Sequence, residues 1–319
     1  MTTHASRACA VQLFGDLAGP PVSSDRFRLP RRASNEDMMK QKHTLEFVFL
    51  LMVIGFSVVG FSSLWLGENS HRTPYHYLHI ITSLAWLLLL LSQLVLVRQN
   101  GFRRHRAIGL SIFIAGPLLV ASLMLLSVHS AVKEAATGQA DDLLVQNVGT
   151  TLEIALLVLL AFVLRRNRDV HASFIMATAL VFLGIALFFT FISYVPRFRI
   201  EGPETFSRFA DASQTISLII FVIGLLFFLR KWRTGWPWII AAAFFTLNGL
   251  LQLYLDRTDR TRPLTHLVAS IGRAPAFGAS FLIFAALLWL AWRIDPAKRA
   301  ITSWSSRQPA PDAAGRDAT

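Results

Sequence analysis

Eight stretches of about twenty mostly apolar residues divide this chain, and they leave few folds open to it. They fall near 44 to 66, 76 to 97, 106 to 129, 144 to 164, 171 to 195, 212 to 230, 236 to 255 and 272 to 292. A helix needs roughly 20 such residues to cross about 30 Å of hydrocarbon with every backbone group bonded internally. A barrel strand would be about half as long and would alternate in polarity, which these runs do not. The pattern predicts an all-α fold, a polytopic transmembrane bundle of about eight helices over 44–295. Composition agrees: 54% of residues are hydrophobic, 16% are charged, and there are 25 Phe and 8 Trp. One boundary is open. Pro263 and Pro275 lie in "PLTHLVASIGRAPAF", so the last helix starts either near Leu264 or near Gly272.

The connecting loops give the orientation, because basic loops stay in the cytoplasm. Loops 98–106, 165–170 and 230–235 hold ten basic residues against the single acid Asp169, whereas the loops of the opposite side balance eight basic residues with eight acids. Both termini are therefore expected inside, in a cytoplasmic (inner) membrane of bacterial type, with Trp289 and Trp292 in an interfacial aromatic belt. The formal net charge of +12 is spread over these short loops and not gathered on a polar domain, so the partner is the lipid bilayer and not nucleic acid. Cys9 is the one cysteine, which excludes an internal disulfide or a thiolate metal site. Residues 1–43 are polar and Arg- and Pro-containing, lack the apolar core of a signal peptide, and read as a disordered tail; a start near Met38 is an alternative. Residues 296–319 read as a second disordered tail.

In "VGTTLEIALLVLLAF" a carboxylate, Glu153, interrupts the fourth run roughly 13 Å from its outer end, close to the bilayer midplane. Gln146, Thr150 and Glu153 repeat at i, i+4 and i+7 and share a face, and a charge at that depth turns toward protein or trapped water. Other runs offer polar partners. His79, Ser83, Trp86, Leu90 and Gln93 form a stripe on the second helix, Asn248 and Gln252 sit one turn apart on the seventh, and the eighth carries Arg273. A last helix beginning near Leu264 would put Arg273 about 13 Å deep, able to neutralise Glu153; a start near Gly272 makes it an interfacial anchor. The pattern fits an outward-opening polar cavity for a proton or small solute. The competing reading is helix-to-helix glue in a structural or sensory subunit of a membrane complex.

Histidines supply a second lead. His105 and His171 open helices on the cytoplasmic side, and His79 and His129 lie near outer ends, which suggests two layers of b-haem ligands. On one straight helix His105 and His129 would be about 36 Å and about 120° apart, so no single face presents both. A single inner haem held by His105 and His171, with His79 as an auxiliary, escapes that objection. No nucleophile elbow, phosphate loop, dinucleotide fingerprint or H-E-x-x-H helix occurs, so a non-enzymatic role is expected. No internal repeat of the inverted-transporter kind stands out.

His79, Trp86 and Gln93, then "HRAIG" at 105–109, then "RDVHASFIMAT" at 168–178, resemble a family of uncharacterised bacterial multi-pass membrane proteins with a His-Arg-x-x-Gly helix start, of the domain-of-unknown-function type. The likeness spans about helices two to five, and Ala172 and Ser173 depart from it where a basic or aromatic residue often follows the His. It implies membrane location and no particular reaction. A fainter similarity to b-type membrane cytochromes rests on the histidines alone.

Overall fold

A computed structural model describes residues 43–66, 73–138 and 143–293. The two polar tails, with Cys9 and Met38, lie outside these residues, apart from His43. Ten helices follow one another: α1 (Thr44–Leu66), α2 (Pro74–Arg98), α3 (Phe102–Gly109), α4 (Ile112–Thr137), α5 (Leu144–Val163), α6 (Arg168–Tyr194), α7 (Arg208–Arg230), α8 (Trp236–Arg257), α9 (Thr261–Ser270) and α10 (Arg273–Arg293). All but α3 and α9 are long and apolar enough to span a bilayer. The chain is a multi-pass membrane protein with an all-α fold, and the described residues contain no strand.

Local chemistry sets the helix ends. Pro74 occupies the first turn of α2, where a missing N–H costs nothing. Thr73 and the His76 ring close that end together, with Thr73 N–H donating to His76 Nδ1 at 3.3 Å and the Thr73 hydroxyl 2.7 Å from the same nitrogen. Asn167 caps α6 by accepting from Val170 N–H at 3.2 Å. Gly138, at φ 68°, ends α4, and Gly272, at φ 74°, separates α9 from α10; both positions demand a residue without a Cβ penalty.

The third span departs from the sequence reading. It runs Ile112–Thr137, not 106 to 129, because the Arg-rich segment around His105 folds as the separate helix α3. At its far end α4 continues through "HSAVKEAAT", whose Ala, Lys and Glu favour helix until Gly138 stops it.

Three helices form the middle of the bundle. The α6 span is 67% buried within the protein and the α4 span 61%, against 22% for α2 and α10. α4 packs on α2, α5, α9 and α10, and α6 on α1, α5, α7 and α8. Between them α5 also meets α8 and α10, so four helices wall it in. Close approach relies on missing side chains: Gly184 of α6 leaves room for the Phe245 ring of α8, and Gly60 of α1 lies on the Ala186 backbone of α6. The outer helices present Ile81, Leu218 and Leu282 outward, as a lipid-facing surface should.

Candidate functional site

Glu153 lies in the middle of α5, nine residues after Leu144 and ten before Val163, so about 14 Å of helix separates it from either end. Its exposure is 0%. Both carboxylate oxygens are buried without a hydrogen-bond partner, and among the described residues no cation pairs with them. One turn earlier, the bare Gly149 backbone receives the Asn248 side chain from α8. Asn248 is 6% exposed and its Nδ2 also lacks a partner. Toward the end of the bundle opposite the Arg-rich loops, Gln146 donates to Thr150 at 3.2 Å. Toward the Arg-rich end, here the basic end, Ile154, Leu157, Val158 and Ala161 are all at 0% exposure. The core-facing side of α5 is thus polar from Gln146 to Glu153 and apolar from there to the basic end.

Other residues from the sequence reading go elsewhere. α10 begins at Arg273, the second of the two starts considered, and the Arg273 guanidinium stacks over Tyr75 of α2 at 5.3 Å without pairing with Glu153. Gln252 donates to both carboxylate oxygens of Asp256, at 3.0 Å each, near the end of α8. The α2 stripe is engaged with α4 and α6. Trp86, at 0% exposure, donates its indole N–H to Thr178 of α6 at 3.0 Å. The Thr82 and Ser122 hydroxyls meet at 2.7 Å, and His79 stands 3.5 Å from both Ser122 and Ser83. His129 lies with its ring 5.0 Å from that of Tyr75 and 5.8 Å from that of His76.

The basic end collects a second polar group. His171 Nδ1 donates to the Ala161 carbonyl at 2.8 Å, which leaves its Nε2 as a lone-pair donor to any ligand. His105 of α3 is close enough for the two rings to interact electrostatically. Burial holds His105 below the usual histidine range; a contact with the Gln93 backbone opposes that shift, and the Arg106 charge adds to it. Gln93 Oε1 lies over Gly109 of α3, and both polar atoms of its side chain are buried without a partner. His105 and His129 sit on different helices, α3 and α4, so the separation expected on one straight helix does not apply to them. Among the described residues no three His, Cys, Asp or Glu side chains gather as a metal site.

Sequence reasoning missed a charged cluster at the same end. Glu46, 5% exposed near the start of α1, accepts from Lys231 at 2.8 Å and pairs with Arg230 at 3.3 Å. The signal was present in an acid at the start of one oily run and "RK" at the end of another, both on the basic side. Arg165 is a second omission. Its guanidinium donates to the carbonyls of Phe162, Ala291 and Trp292 at 2.8 to 3.0 Å, joining the ends of α5 and α10.

Fold and geometry together define a polytopic α-helical membrane protein with an unpaired carboxyl at its centre. No protein-family model, curated protein or solved structure matches this chain.

Proposed function

We propose that the protein sits in a cytoplasmic membrane with both termini inside and binds or passes a proton or small solute at Glu153. The observation that carries this reading is the carboxyl at mid-span, fully buried, with neither oxygen bonded. Glue would be partnered: a carboxylate kept for packing holds its place through hydrogen bonds or a cation, and leaving it bare costs several kcal/mol on the order expected for a buried unpaired charge. Gln146, Thr150 and Asn248 supply polar groups between Glu153 and the far end, whereas Leu157 and Ala161 close the way to the basic end. That asymmetry favours access from outside and a barrier inside.

The test is proton movement into liposomes containing the purified protein, driven by a potassium diffusion potential and followed with an internal pH dye. Glu153→Gln is expected to abolish it while the protein stays folded. Unchanged movement in Glu153→Gln sinks the reading, and loss of folded protein assigns Glu153 to packing.

A second reading, a b-haem redox protein using His105 and His171, is favoured by one observation. The Ala161 carbonyl fixes the His171 ring with Nε2 available, an arrangement that suits axial ligation. A reduced-minus-oxidised spectrum of protein expressed with ample haem tests it: sharp b-type bands lost in His171→Ala support it, and a featureless spectrum removes it.

A further inference from the structure

At the end of the bundle opposite the basic loops, three helices bring cationic and aromatic side chains together around an arginine that pairs with no acid among the described residues. Arg273 opens α10 and is part-buried. Its guanidinium stacks on the Tyr75 ring at 5.3 Å, and its Nε is buried with no hydrogen-bond partner. Tyr75 in turn packs on His129 of α4, with ring centres 5.0 Å apart, and His129 on His76 of α2. Lys133, one turn beyond His129, is close enough to His76 to act on it electrostatically. The acid that α4 carries at this end, Glu134, accepts from Thr265 of α9 at 3.1 Å. A buried Nε–H with no acceptor is an unmet donor, and the edge it shares with a terminal nitrogen is a fork shaped for two oxygens of one anion. Contact with the Tyr75 ring restrains the guanidinium in advance, so less freedom is lost when the fork is filled.

We propose that Arg273, Tyr75 and the neighbouring His76 and His129 form a binding site for an oxyanion, a carboxylate or phosphate group that engages the Nε edge of Arg273 while its organic portion rests against the aromatic rings. The site stands on its own geometry. Only its use, delivery of an anion to a protein that also handles protons, rests on the reading of Glu153.

The experiment is thermal unfolding of the purified full chain in detergent, in sodium benzoate, sodium acetate or inorganic phosphate against sodium chloride at equal ionic strength, and in nanodiscs of phosphatidylcholine with and without phosphatidylglycerol. A saturable stabilisation by benzoate that Arg273→Gln abolishes supports the site and makes a free organic acid its ligand. Stabilisation that appears only with phosphatidylglycerol, and is also lost in Arg273→Gln, supports the oxyanion chemistry and makes a lipid headgroup its source. No stabilisation by any of these anions, or an equal one in Arg273→Gln, overturns the proposal. Should Arg273→Gln not fold, Arg273→Lys decides: it keeps the charge and loses the fork, so binding about tenfold weaker supports the site and unchanged binding overturns it. Glu153→Gln is expected to bind benzoate normally while failing in proton movement, so either reading can fail without the other.

Discussion

Glu46 and Glu153 are the same residue in comparable burial, and their surroundings differ in kind. Glu46 stands at the start of α1 with Lys231 and Arg230 on one of its oxygens, both cations still partly open to solvent at 27% and 34%. Glu153 stands at the centre of α5 with nothing bonded to either oxygen. The first arrangement neutralises its charge through Oε1 alone, Oε2 being buried without a hydrogen bond, and it joins α1 to the end of α7 whether or not anything moves through the protein. The second is incomplete as it stands, and a membrane gives an unbonded carboxyl no water to complete it. Burial alone therefore does not mark a functional acid; burial with neither a cation nor a hydrogen bond on either oxygen does.

The strongest way to break this comparison is to neutralise each acid in turn. Glu153→Gln is expected to abolish proton movement in liposomes and to leave the melting temperature unchanged or raised, since no partner is orphaned. A large loss of stability would put Glu153 in the same class as Glu46. Next comes the apolar half of α5. Leu157→Ala removes a fully buried side chain one turn from Glu153 and is expected to cost about 2–4 kcal/mol. It should also raise passive proton leak, so a destabilised but proton-tight variant would show that Leu157 is not part of the barrier.

Glu46→Gln should destabilise by only about 1–2 kcal/mol, because water still reaches its two cations. Its proton movement per folded molecule should equal that of the native protein, and a large loss there would erase the contrast. The smallest effect is expected from Arg165→Gln, which removes hydrogen bonds to three backbone carbonyls near the surface. It should cost about 1 kcal/mol in chemical unfolding without altering proton movement.

Depth was legible in the sequence and pairing was not. Counting from Leu144 at 1.5 Å per residue placed Glu153 at mid-span, and the helix found there begins at Leu144. Partners resist such counting. Helices such as α1 and α10 are apolar on every side, so periodicity does not say which face meets protein and which meets lipid. That is why Trp86 could be placed on a stripe through the membrane but not matched to Thr178, and why the Gly149 seat for Asn248 went unread. The third run was misplaced for a different reason: hydropathy is continuous across residues 107–116, and the break between α3 and α4 is marked only by Gly109, a residue type that α4 also keeps inside it at Gly116.

The sequence by itself determined that this is a multi-pass membrane chain, with eight helices among the described residues long and apolar enough to span and an ionisable group halfway along one of them, because spanning length and depth are properties of a single helix. Only the tertiary structure decided that Lys231 reaches Glu46, that Arg273 stacks on Tyr75, and that Glu153 is left alone. Those outcomes depend on how each helix is rotated against its neighbours, and in lipid that rotation is set by close packing and interhelical hydrogen bonds, not by a hydrophobic stripe that can be read along the chain.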